Sequence, residues 1–225
     1  METKGFSNLN GNVKTLSEES PLALDNKGKP FLEEYDYASV VGMLLYLVNT
    51  QPDIQYAVHS CCCFVHCPRK SHADTIKQIC RYLVSTKDKG LTFSMDCQCL
   101  QLYCFVDVDF AGLHKYENHN DLISSKSRTG YVITLGRSPI SWCSKLQTDT
   151  AMSTTESEII ALSSAMRELI WVKRLIVDIS EGFGINVDKI TNINATVHED
   201  NQAAITNDTK CIIINRTCHI HAKYW

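Results

Sequence analysis

Leu102-Tyr103-Cys104-Phe105-Val106-Asp107 is an apolar run that closes on an acid, and its reading decides the fold. A short run rich in aromatic and β-branched residues reads as a strand with at least one buried face. Working outward, Leu91–Met95 lies before it as a strand-like segment, and Gly130–Leu135 and Ile140–Ser144 lie after it. Gly136 and Ser138-Pro139 are turn signals between the last two. A long helix follows, then a strand across Ile190–His198, then a short helix opening at Asp200. Strands, a helix and a returning strand predict an α/β fold: a mixed sheet flanked by helices.

The long helix runs from Ser153 to about Ile179, and its face can be worked out. At about 100° per residue, Leu162, Ala165, Met166, Leu169, Val172 and Ile176 form one apolar stripe. Glu158 falls near the centre of that stripe. Glu156 falls on the other side, beside Ser163, Arg167 and Arg174. Ser153-Thr154-Thr155-Glu156 reads as a capping box, with Ser153 as N-cap and Glu156 reaching back to its N–H. Glu156 thus has a structural task and Glu158 does not.

Three acids now stand at the margins of the predicted core: Asp107 ending a strand, Glu158 in a first helical turn, Asp200 after a second strand. Carboxylates there cost energy unless paired or bound to metal. Converging from three elements, they point to a shared cation. Hard oxygen donors select Mg²⁺ or Mn²⁺ over zinc. Asp109 shares the strand face of Asp107 and is expected to be a solvated strand-end acid.

The remainder of the chain sets bounds. At 225 residues it holds one large domain or two small ones, and a net charge of −3 leaves any nucleic-acid affinity to a local patch. Residues 1–34 are polar and read as a leader or linker. Residues 35–92 read as helical: Tyr37 to Asn49, Pro52 to about His66, then a third helix from Ser71 or His72, with Gly90 closing the unit. Residues 93–225 form the α/β domain. The longest apolar run, Ala38 to Val48, falls short of the ~20 residues of a membrane helix. No signal peptide is expected, and the eleven cysteines are expected to be reduced thiols of an intracellular, cytoplasmic or nuclear protein. His59, Cys63 and Cys67 are spaced four apart, but ligands on one straight helix cannot surround a tetrahedral zinc. Buried apolar cysteine is the expectation there. Phe105-Val106-Asp107-Val108-Asp109 lacks the adjacent acids of a polymerase Tyr-x-Asp-Asp turn.

Several ordered motifs carry a family resemblance over about residues 35–225. Tyr37-Ala38-Ser39-Val40-Val41-Gly42-Met43-Leu44-Leu45-Tyr46-Leu47 and Gln51-Pro52-Asp53-Ile54-Gln55-Tyr56-Ala57-Val58 resemble the segment after the reverse transcriptase in copia-type retrotransposon Pol polyproteins. Phe105 to Gly112, Lys126 to Val132, Ser141 to Gln147, Ser153 to Glu158 and Glu199 to Ile205 resemble the ribonuclease H domain of the same polyproteins. The resemblance implies a ribonuclease H-like sheet after a connection segment, with an upstream reverse transcriptase as partner in the parent polyprotein. It carries the catalytic acids onto Asp107, Glu158 and Asp200, the second because Glu158-Ile159-Ile160-Ala161-Leu162 fits the family's Glu-x-x-Ala-Leu. It implies two ions, Mg²⁺ or Mn²⁺, about 4 Å apart at the scissile phosphate. The implied substrate is an RNA/DNA hybrid, recognised by its backbone and 2′-hydroxyls, with Lys126, Arg128 and Lys145 as phosphate contacts. A fourth family acid follows a later strand, so a C-terminally truncated domain is expected. An inactive remnant that binds nucleic acid or protein is the alternative. An integrase of the same fold fits the motif order less well.

Overall fold

The computed structural model describes residues 22, 25, 28–31, 35–94, 101–114, 124–184 and 194–201. They fall into two compact units, the first within Met1–Leu91 and Leu113–His119, the second within Thr92–Gly112 and Asn120–Trp225.

In the first unit, α1 spans Tyr37–Val48. Asp36 caps it, its carboxylate accepting from the N–H groups of Ala38 (3.1 Å) and Ser39 (3.4 Å). A 3₁₀ turn at Pro52–Ile54 leads into α2 (Gln55–Cys62), and α3 spans Lys70–Ser85. The helix expected to reach His66 stops at Cys62. Beyond it, Cys63, Phe64 and Val65 donate to Ser60, Cys61 and Cys62, a tightening to i→i−3 bonds that ends the α-helical ladder. α3 opens at Lys70, one residue before the expected start. There His72 Nδ1 accepts from the Arg69 N–H at 3.0 Å, and the buried ring stacks on Phe64 at 4.1 Å.

The core of this unit holds Val40, Val41 and Leu44 of α1, Val58 and Cys61 of α2, and Ile76, Ile79 and Cys80 of α3. Burying each of the larger aliphatic side chains contributes about 1.5–3 kcal/mol. Cys61 and Cys80 serve as small apolar residues. Part of the polar leader is docked on this unit: Pro30 bridges Arg69, the Ser71 hydroxyl donates to Asp25 at 2.7 Å, and Phe31 packs against the core.

The second unit is the α/β body. β1 is Gln101–Asp109, β2 Arg128–Leu135, β3 Ser138–Leu146, α4 Thr154–Gly182 and β4 Asn194–His198. The sheet order is β3-β2-β1-β4. β1–β2 and β2–β3 pair antiparallel, and β4 pairs parallel to β1. This is the ribonuclease H-like mixed sheet flanked by a helix and preceded by a small helical segment. Along β1, Leu102, Cys104 and Val106 are buried, while Phe105 and Asp107 are exposed, the period of two expected of a strand. The buried set packs with Ile133 of β2 and with Ala161, Leu162, Ala165 and Leu169 of α4. Met166, Val172 and Ile176 extend the same seam, so the whole predicted helical stripe meets the sheet.

Two expectations about strands are corrected. Residues 91–94 form no strand; Ser94 instead donates its N–H to the Ser138 hydroxyl at 3.1 Å. Met95 lies outside the described residues, as do the continuation of the short helix beyond Asn201 and nearly all of residues 1–34. β3 begins at Ser138 rather than Ile140 and includes Pro139. It is an edge strand, where a residue without an N–H is tolerated, and a register shift between Ile133 and Thr134 absorbs the irregularity. Gly136 opens the two-residue β2–β3 turn at φ +59°, a value that favours glycine. No described helix is long and apolar enough to cross a membrane.

Candidate metal centre

Chain direction brings the acids together. β1, β3 and β4 all run the same way, so their carboxyl ends lie at one end of the sheet. Asp107 sits near the end of β1. α4 starts there after β3 and runs back, which puts Glu158 in its first turns. Asp200 follows β4 by two residues. One ligand oxygen from each of Asp107, Glu158 and Asp200 lies within 4.8 Å of the others. Such a group can hold a metal ion.

The helix start fixes Glu158. The Ser153 hydroxyl accepts from the Glu156 N–H at 3.1 Å. The Glu156 carboxylate accepts from the Met152 N–H at 2.7 Å, reaching one residue past the N-cap. Glu156 thus serves the helix start, on the Met152 N–H where the Ser153 N–H was expected, and Glu158 lies in the acidic cluster. Gln147, which enters the sequence motifs without a role of its own, is a further positioning residue. It is buried, and its Nε2 donates to the Thr129 hydroxyl (3.1 Å) and to the Ser157 carbonyl (2.9 Å). It ties the turn that carries Glu158 to β2. Nothing in its spacing marks it, because neither partner shares a secondary-structure element with it.

Electrostatics makes the cluster costly without a cation. Glu158 is 8% exposed, and its Oε2 is buried with no hydrogen-bond partner. Its carboxyl is pushed up to about 7, first by burial, then by the charges of Glu199, Asp107 and Asp200. Glu199, in sequence only one member of a motif, is drawn into the same field. Burial raises its carboxyl as well, partly offset by the Asn201 N–H, with Asp200 and Asp107 adding to the rise. Asp107 is exposed and accepts from the Val108 N–H at 2.8 Å.

The other sequence candidates divide. Asp109 is exposed and stays outside the cluster; its carboxylate lies over Gly112, where any Cβ would stand 2.1 Å from an Asp109 oxygen. Lys145 is exposed and Lys126 half-buried. Arg128 is only 7% exposed, so most of its surface is turned away from any solvent-borne phosphate. His198 stacks on Phe105 at 4.7 Å as a strand residue. Among the described residues, the histidines and cysteines of residues 59–67 form no metal-binding group.

Similarities to known proteins follow the same line. Over 217 residues the chain is 35% identical to the retrovirus-related Pol polyprotein from transposon TNT 1-94 of Nicotiana tabacum, covering 96% of this chain and 15% of that protein. It is 34% identical over 167 residues to the retrovirus-related Pol polyprotein from transposon RE1 of Arabidopsis thaliana, covering 74% of this chain and 11% of that protein. It is 36% identical over 142 residues to secreted RxLR effector protein 161 of Plasmopara viticola, covering 63% of this chain and 94% of that protein. The chain thus spans 15% or less of the two polyproteins. No family model and no solved structure matches it.

Proposed function

The chain belongs to the Pol polyproteins of copia-type retrotransposons, and from that premise we propose that its α/β unit is a ribonuclease H that hydrolyses the RNA strand of RNA/DNA hybrids. The observation that carries this is the meeting of Asp107, Glu158 and Asp200 at one end of the sheet, each offering an oxygen within 4.8 Å of the others. The donor set is all carboxylate, which fits Mg²⁺ or Mn²⁺ rather than a softer metal. The buried, unpartnered Oε2 of Glu158 is the kind of atom a cation satisfies. Two such ions supply an activated water and neutralise the charge that develops on the leaving oxygen.

The chain's own residues divide the remaining work. Asp107, Glu158 and Asp200 hold cations at the sheet end, each from a different element. Gln147 and Ser153 fix the first turns of α4 and so aim Glu158. Lys145 and Lys126 meet backbone phosphate. Residues 35–92 connect this domain to an upstream reverse transcriptase in the parent polyprotein.

Strand selectivity tests the proposal. With the full chain and millimolar Mn²⁺, a labelled hybrid should lose its RNA strand while duplex DNA of the same sequence stays intact. Hybrid binding without cleavage would instead favour an inactive remnant serving as a binding module. Cleavage of both duplexes alike would overturn the ribonuclease H assignment.

A further inference from the structure

The outer face of α4 carries an apolar stripe that the described residues leave uncovered. Trp171, Leu175 and Ile179 recur every fourth residue, Phe183 continues the series at the C-cap, and Ile170 flanks it. All five are between 49% and 80% exposed, on a helix whose opposite face is buried against the sheet. A contiguous exposed apolar patch of this kind marks a binding surface. At about 100° per residue, Arg167, Arg174, Asp178 and Glu181 line one edge of the stripe. All four are exposed, and the guanidinium of Arg174 lies 5.9 Å from the centre of the Trp171 ring. The bases come first along the chain and the acids last. This edge therefore complements itself when a second copy is inverted, and repels itself when two copies run the same way. Gly182 lies in line with Trp171 at the far end of the stripe, with nothing within 4 Å of where a Cβ would stand.

We propose that this face of α4 binds a second copy of the same chain, the two helices packing antiparallel about a two-fold axis at the level of Ile176. Such an axis presents the same patch from each copy and keeps the charged edge on one side of both helices. Arg174 of each copy then faces Asp178 of the other. Trp171 of each comes against Gly182 of the other, where a larger side chain would stand in its way, and Leu175 and Ile179 fill the space between. A stripe from one helix makes a small interface, so the association is weak and concentration-dependent. Glu158 lies on the core-facing side of α4, about 20 Å along the helix from Trp171, so pairing leaves both acidic clusters open. The pairing does not depend on the ribonuclease reading of those clusters.

Analytical ultracentrifugation of the full chain over a micromolar-to-millimolar concentration series tests it. The wild type should pass from monomer to dimer, and no further, as its concentration rises. Leu175→Lys should abolish the dimer with an unchanged far-ultraviolet circular dichroism spectrum, since the side chain it replaces is exposed in the single chain. Arg174→Asp and Asp178→Arg should each weaken the dimer by about tenfold or more, because each sets like charges opposite one another at two symmetric places. The doubly exchanged chain, carrying Arg174→Asp and Asp178→Arg together, should recover most of the lost affinity. A monomer at every concentration would overturn the proposal, and so would a dimer indifferent to Leu175→Lys. Weakening by both single exchanges without recovery in the double one would overturn the antiparallel pairing. Growth beyond a dimer would overturn the two-fold arrangement.

Discussion

Glu158 is where sequence, packing and chemistry meet most closely. It occupies a core-facing position of α4, is 8% exposed, and faces three other acids. The linkage has a definite sign. Its carboxyl has an ordinary value of 4.5 and is pushed up to about 7 in the folded chain. Below 4.5 both folded and unfolded chains hold the proton, and its stabilising contribution is complete. Between 4.5 and about 7 the unfolded chain releases the proton and the native one keeps it. Stability of the metal-free protein should therefore fall with rising pH across that window, by up to about 1.4 kcal/mol per pH unit. Urea midpoints in EDTA should drop between the two ends of the window, and Glu158→Gln should flatten the profile. Added Mn²⁺ should restore the midpoint above the window, because a bound cation takes the place of the proton. An unchanged midpoint across the window in EDTA would show that Glu158 carries no such strain.

The place of Glu158 is legible in the sequence because helical periodicity is local: its position among Leu162, Ala165 and Leu169 follows from spacing alone. The role of Gln147 is not legible there. It comes from contacts that only the fold makes, such as the Gln147 amide on the Thr129 hydroxyl of β2.

At the level of elements, the start of α4 sets the geometry of the site. Two devices hold it: the Ser153 cap and the Gln147 bridge. Ser153→Ala removes the acceptor for the Glu156 N–H and should cost about 0.5–2 kcal/mol, read as a lower urea midpoint. Gln147→Ala leaves the Thr129 hydroxyl and the Ser157 carbonyl without that partner, at about 1–3 kcal/mol. Because Gln147 acts through Glu158, its loss should also weaken Mn²⁺ binding, whereas a purely structural role would lower the midpoint alone. Strand boundaries are less legible in the sequence than strand faces. β3 runs through Pro139 because it is an edge strand, and edge position is a property of the sheet rather than of the segment. α2 ends early because its last bonds tighten to i→i−3, which apolar spacing does not reveal.

For the whole molecule, the α/β unit depends on one seam between the sheet and α4. Ile133 and Leu102 are fully buried in it. Ile133→Ala should cost about 2–5 kcal/mol through lost burial and the cavity left behind. Thermal unfolding would show the loss, and Mn²⁺ affinity should fall with it, since the seam aligns β1 with α4. An Ile133→Ala protein of unchanged stability would mean that this seam is not the core. The succession of strands around the long helix is legible in the sequence because the strands are short apolar runs set off by turn signals, and β1 alternates buried and exposed positions. The parallel return of β4 fits it, since a long helix suits the crossover between parallel neighbours.

The central claim is that Asp107, Glu158 and Asp200 form a divalent-cation centre that cleaves RNA in a hybrid. The most direct measurement is single-turnover cleavage of a labelled RNA/DNA hybrid in Mn²⁺ by the wild type and by Asp107→Asn. The account predicts metal-dependent cleavage by the wild type, and a loss of about 10³-fold or more in the variant with its fold intact. Cleavage that persists in Asp107→Asn at the wild-type rate would contradict it.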